Sequence, residues 1–333
     1  MSPLLIAVLR VLAAVGLMLL NGVVLIYMLR KVLGHLHLRL GPTELGPAGM
    51  FQTTADVLKL LTKEDPTPGK VDRTLYFLAP MIVFVPSLAA YAAIPFSETA
   101  VAADLDAGLL YTFAILSLVP LGIFAAGWAS YNKWSLLGSM RSIAQQVTYE
   151  VPLLLAALPP VMIAGSINLS DIVRVQQGSL WFIIPCFPAF LLFLVAGLVE
   201  SNQTPFDMSE AESELVAGFA TEYASMKFGL IFLSEFSNTF IFSALMVTLF
   251  FGGWTLPFVP DGVLAGVGGP VVFMLKTYLG IAVLMWIRGT LPRVRIDQLL
   301  SLGWKVLLPA ALVWIVVTGL AVKLAPTLFG GAS

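Results

Sequence analysis

Runs of roughly twenty apolar residues recur eight times along this 333-residue chain, each long enough to cross a hydrocarbon layer of about 30 Å as a helix. They fall at 4–29, 75–96, 105–128, 147–164, 180–199, 228–251, 271–287 and 306–324. Such unbroken apolar runs predict helices, because the strands of a membrane barrel alternate apolar with polar residues over about ten positions. With 59% apolar and 11% charged residues, the chain cannot bury these runs in one water-soluble core. The expected fold is therefore an all-α integral membrane protein of about eight transmembrane helices, with residues 1–333 forming a single polytopic domain. The first run is too long for a signal-peptide core and no small-residue cleavage site follows it, so it counts as a span. The one cysteine, Cys186, lies within an apolar run and reads as a buried thiol.

Of the 18 Lys and Arg residues, 14 lie in or beside four connections at about 30–73, 129–146, 200–227 and 288–305. All four share one side of an eight-span chain, and the bias of Lys and Arg predicts that this side is cytoplasmic. Both termini are then expected on the outer side, with the short turns near Glu98, Asp171 and Asp261. A chain whose polar mass gathers on one face is expected to dock a partner there.

The first of these connections reads RKVLGHLHLRLGPTELGPAGMFQTTADVLKLLTKEDPTPG, and its two Gly-Pro pairs break the chain sharply. After Pro47 a short amphipathic helix is expected, with Gln52, Asp56, Lys59 and Lys63 along one stripe and Met50, Phe51, Ala55, Leu58 and Leu61 on the other side. Its polar stripe suits either the lipid headgroups or a protein cavity. His35 and His37, two apart, would point to different faces of a helix, so no metal site is expected there. The third connection holds six acids, Glu200, Asp207, Glu210, Glu212, Glu214 and Glu222, against the single base Lys227. Ser209 and Glu212 have the spacing of a capping box. A helix starting there would bring Glu210, Glu214 and Glu222 onto a common face. Carboxylates gathered between membrane spans raise one another's proton affinity and can share and pass protons. The last connection is basic through Arg288, Arg293, Arg295 and Lys305, as orientation alone requires.

Glu150, Glu235 and Lys276 fall within the spans themselves. A charge at the centre of a lone span costs on the order of 3 kcal/mol, so each is expected to face the bundle interior, to pair or to neutralise. Pairing of a glutamate with Lys276 is one reading. The other is a proton path in which Tyr149, Glu150, Glu200 and Glu235 carry the acidic connection into the bundle. The sequence has no P-loop and no cluster of Cys and His suited to a metal, haem or iron–sulfur group. Any redox chemistry must be completed by partner subunits.

Stretches along nearly the whole chain carry a resemblance: LRLGP, DLDAGLLY, AGWASYNKWSLLGSMRSIAQQVTYEVP, GSINLSDIV, PFDMSEAESELVAGF, MKFGLIFLSE, LFFGGW and WIRGTLPRVRIDQL. In these the chain resembles the family of H subunits of bacterial NADH:quinone oxidoreductases, the counterpart of subunit 1 of mitochondrial complex I. The resemblance implies a bundle of tilted helices at the heel of a membrane arm, in the bacterial inner membrane, next to further membrane-arm and hydrophilic subunits. With a soluble subunit carrying the terminal iron–sulfur cluster, the inside loops would enclose a chamber for a quinone substrate. Flavin, haem and clusters are expected on partners only, and nucleic acid is not an expected partner. Carried over by position, Arg30, Arg39, Asp56 and Lys59 would line the chamber, with Glu210 and Glu212 near it. Glu150, Glu200, Glu214, Glu222 and Glu235 would link quinone chemistry to proton movement, with Tyr149, Asp207, Tyr223 and Lys276 alongside them.

The chain departs from the family pattern at Leu29, where relatives carry Glu, and at Gln203, where they carry Arg. The homologous membrane subunit of an energy-converting hydrogenase shares the architecture and is the nearest alternative. A stand-alone secondary transporter or proton channel is the alternative from another class, though no internal repeat of the kind transporters use is visible.

Overall fold

The computed structural model describes residues 3–177, 180–208, 212–257 and 268–324, and all regular structure among them is helical. The first half comprises α1 (Pro3–Leu36), α2 (Gln52–Thr62), α3 (Arg73–Ala90), α4 (Gly108–Leu116), α5 (Val119–Ala129), α6 (Lys133–Ala164) and α7 (Leu169–Gln177). The second half comprises α8 (Phe187–Glu200), the single turn α9 (Glu212–Leu215), α10 (Ser225–Phe250), α11 (Gly268–Thr290), α12 (Ile296–Leu302) and α13 (Leu308–Leu324). α4 and α5 form one broken rod, as do α12 and α13 through a π-helical turn at Gly303–Leu307. Counting these as single rods, seven helices in the described residues are long and apolar enough to cross a membrane, so the chain is a multi-pass α-helical membrane protein.

Local chemistry sets the boundaries. Asp72 caps α3 by accepting from the backbone N–H groups of Thr74 and Leu75. Asn132 does the same for α6 through the N–H of Trp134, so α6 starts at Lys133 rather than near 147. The expected connection 129–146 is therefore mostly helix. At its far end α6 stops where Gly165 takes a left-handed φ of 69°.

The expected fifth span, 180–199, is helical only from Phe187. Pro185 lies in the preceding turns, Pro188 sits in the first turn of α8 where a missing backbone donor is tolerated, and the apolar residues before them pack on the end of α10, where Ile183 N–H donates to the Phe250 carbonyl. The 14 residues of α8 reach about 21 Å, short of a full crossing. Eight expected spans thus become seven long rods and one short apolar helix.

α10 forms the axis of the bundle. Its residues from Thr239 to Phe250 are all buried. α3 runs parallel to it, with Tyr76 stacked on Tyr223 at 4.5 Å, Ser87 meeting Ser234 hydroxyl to hydroxyl, and Tyr91 stacked on Phe240 at 5.4 Å. α8 runs antiparallel, with Phe190 against Phe250, Phe193 against Phe242, and Gln203 just beyond its end against Thr239. α8 therefore ends halfway along α10, and its last residue, Glu200, is delivered to the middle of the bundle. Close approach of α8 and α10 depends on Gly197, where a Cβ would overlap the Phe242 ring. The outer faces of α1 and α13 are apolar and open, with Leu12 and Val316 each 61% exposed, as faces turned to lipid require.

Candidate functional site

Two regions gather the chemistry. The first lies at the end of the bundle that carries the long loops. Gly41, with φ 65°, turns the chain so tightly that a Cβ there would press on the Arg30 carbonyl, and this folds the loop back over the end of α1. Leu29, Arg30, Leu33, Arg39, Leu40, Gly41 and Pro42 then surround an open cavity of about 510 Å³. Arg30 donates to Asp56 of α2 at 2.5 Å, and Lys59 stands 3.9 Å from the same carboxylate. With 41% of the Arg30 side chain and 26% of that of Asp56 exposed, the ion pair adds no more than about 1 kcal/mol. Its consequence is positional: it ties the polar side of α2 to Arg30 in the cavity wall, while Met50, Phe51, Leu58 and Leu61 are exposed. Cationic groups over leucine walls suit an amphipathic ligand with a polar head and an apolar tail.

The second region is inside the bundle. Glu150 on α6, Glu200 at the end of α8 and Glu235 on α10 surround two adjoining cavities. One, with about 30 Å³ of room for water, is lined by Ser117, Gln146, Glu150, Glu200, Ser201 and Asn238 among apolar side chains. The other, with about 20 Å³, is lined by Glu200, Ser201, Asn202, Ser234, Glu235 and Asn238. A water molecule needs roughly 10–15 Å³ and two to four polar partners, and both cavities offer that. The end of α8 is held by Gln145, whose side-chain amide donates to the Val199 carbonyl at 2.8 Å and to Asn202 Oδ1 at 3.1 Å. Two buried oxygens, Glu200 Oε2 and Gln146 Oε1, accept no hydrogen bond from the protein. Buried polar atoms of this kind are normally met by water.

The remaining acids divide. Glu214 is paired with Arg141 at 2.6 Å, and the hydrogen bond and charge of that arginine hold its carboxyl below the usual range. Asp207 is paired with Arg293 at 3.1 Å. Glu222 accepts from the Asn132 side chain at 2.7 Å while its carbonyl accepts from the Tyr76 hydroxyl. The Tyr223 hydroxyl is buried, and burial pushes its proton affinity above that of a free tyrosine. Among the described residues, Glu214 and Glu222 do not share a helix face: the helical turn Glu212–Leu215 ends before Val216 and Gly218, which take positive φ values of 67° and 54°. Ser209, Glu210 and the expected turn near Asp261 lie outside the described residues, and Glu212 is placed by its backbone within α9.

Tyr149 is buried and donates to the Leu299 carbonyl at 2.7 Å, which ties α6 to α12. Among the described residues Lys276 pairs with no glutamate. Its ammonium donates to the carbonyls of Phe251, Gly253 and Thr255 at the end of α10 and sits 4.3 Å from the centre of the Trp181 ring. Gln203 is buried, accepting from Arg288 at 2.7 Å and donating to the Thr239 hydroxyl, while Leu29 is in the wall of the larger cavity. Sequence reasoning missed Ser201, Ser234 and Asn238. The available signal was helical spacing, since Asn238 follows Glu235 by three residues on a nearly continuous apolar helix.

The fold and the carboxylates within the bundle define a multi-pass helical membrane protein with a polar interior. Residues 9–319 match the family model described as NADH dehydrogenase. The chain is 45% identical over 313 residues to the NADH-quinone oxidoreductase H subunit of Rhodospirillum centenum, covering 94% of this chain and 93% of the relative. It is 46% identical over 320 residues to that of Paramagnetospirillum magneticum, covering 95% and 92%, and 47% identical over 298 residues to that of Brevibacillus brevis, covering 90% and 88%. The chain belongs to the family of NADH-quinone oxidoreductase H subunits.

Proposed function

We propose that the chain is a membrane subunit of a proton-translocating NADH:quinone oxidoreductase, in which it forms one wall of the quinone chamber and links quinone reduction to proton movement. The observation that carries this reading is the placement of Glu150, Glu200 and Glu235 around two water-sized cavities in the middle of the bundle. Carboxyl groups so close to one another and to water exchange protons readily, and a change in charge on one alters the proton affinity of the next. The larger cavity, walled by Arg30 and Arg39, with Asp56 paired to Arg30 and Lys59 beside that carboxylate, would receive the quinone head. Glu210 and Glu212 would lie near that chamber. Glu214, Glu222, Asp207, Tyr223, Tyr149 and Lys276 would surround the proton route, the first three through the partners they already hold.

In this reading the chain is a single polytopic domain of the bacterial inner membrane with both termini outside. Its inside loops dock hydrophilic subunits that carry the flavin and iron–sulfur clusters, and its apolar flanks meet lipid and other membrane subunits. Gln in place of Glu150 or Glu235 keeps size and loses the proton site. Each variant, in an assembled complex reconstituted into liposomes, is expected to lower quinone-coupled proton transfer by about 10²-fold, the scale set by loss of a positioned proton carrier. Normal pumping in both variants would return these acids to a structural role.

A further inference from the structure

The two cavities between the three glutamates touch different acids. Glu150 lines only one of them and Glu235 only the other. The groups common to both are Glu200, Ser201, Asn238 and the apolar Val119. Asn238 is itself held from α3: the Ser87 hydroxyl donates to its Oδ1 at 2.8 Å, and Ser87 meets Ser234 on the next turn of α10. With Oδ1 so engaged, the two Nδ2 hydrogens of Asn238 are left for groups at the junction.

We infer that Asn238 is a positioning residue that joins the two water sites into one relay, orienting water toward Glu200 on both sides. The inference rests on the proton-linking role proposed above and goes beyond it by dividing the route into two steps with one shared carboxylate. In the first step a proton leaves the Glu150 carboxyl for a water in the larger of the two cavities as that water gives one of its own to Glu200. In the second, the same exchange crosses the smaller cavity from Glu200 to Glu235. One O–H bond breaks for each that forms, and no electron moves. Glu200 fits the shared place because its Oε2 is buried and accepts no hydrogen bond from the protein. Its side chain follows the last turn of a helix that ends at this depth, where Ser201 turns its hydroxyl back to the Gly197 carbonyl.

The test uses the whole complex in liposomes, with assembly measured on native gels so that rates refer to assembled enzyme. Asn238→Leu keeps the bulk and removes the amide. Asn238→Ser keeps a hydroxyl and leaves space for another water. The Leu variant is expected to lose about tenfold or more in quinone-coupled turnover. Its rate should also fall further in D2O than that of the parent, because proton transfer has become limiting. Asn238→Ser should stay near the parent in both measures. A slow Asn238→Leu enzyme with the parental D2O effect assigns Asn238 to packing and overturns the inference, as does an unchanged rate. Loss of pumping in Glu150→Gln and Glu235→Gln beside either of those outcomes removes the role of Asn238 alone. Normal pumping in the two glutamine variants removes the underlying reading and this one with it.

Discussion

Lys276 shows how one charge is accommodated at membrane depth. α10 ends at Phe250 inside the protein, and the carbonyls of the turn that follows it have no helical partner and would otherwise be stranded. Three hydrogen bonds from one ammonium satisfy Phe251, Gly253 and Thr255, and the Trp181 ring covers the cation. Lys276→Met keeps the length and apolar stem of the side chain but strands the carbonyls. The expected loss is about 1–3 kcal/mol, read as a lower melting temperature of the detergent-solubilised complex. An unchanged melting temperature would mean that the end of α10 is satisfied by other groups. Gln203 is used differently. Its amide joins the chain just after α8 to Thr239 on α10 and Arg288 on α11, so it braces the segment next to Glu200.

Among the elements, α8 matters most for the site. It starts only after the turns that hold Pro185, and its closeness to α10 follows from Gly197 against Phe242. Gly197→Ala would force the ring or the helix aside. Such overpacking costs about 1–3 kcal/mol and should appear as a lower melting temperature together with slower quinone-coupled turnover, since Glu200 lies three residues on in the same helix. Retention of both stability and turnover would show that α8 shifts without disturbing the cavities. This element also marks where the sequence is readable and where it is not. An apolar run of twenty residues reads as a span, yet whether a helix starts at its first residue or at its eighth depends on prolines and on what the first residues pack against. The early start of α6 is hidden for a related reason: Gln145, Gln146 and Arg141 look like a loop composition, but within the bundle they find partners or cavities. The acidic connection reads as one helix in the sequence because Val216 in a left-handed conformation has no signature there.

At the scale of the whole molecule, the expected all-α membrane fold and the family were legible, because both rest on long patterns that many residues repeat. The candidate site was legible in part. Arg30 and Arg39 line one cavity, with Asp56 paired to Arg30, and Glu150, Glu200 and Glu235 line two others, whereas Glu214 and Asp207 are held by arginines. Contacts made through folding, such as Tyr149 on Leu299, depend on helix packing and are not written in local spacing. The organisation places a single carboxylate, Glu200, where a half-length helix ends, common to the two cavities that touch Glu150 and Glu235. Proton translocation by the complete complex carrying Glu200→Gln is therefore the most direct measurement. Reconstituted in liposomes at the parental level of assembly, this variant is predicted to lose about 10²-fold in quinone-coupled proton transfer, as removal of a positioned proton carrier requires. Parental pumping by the assembled Glu200→Gln complex would contradict the account.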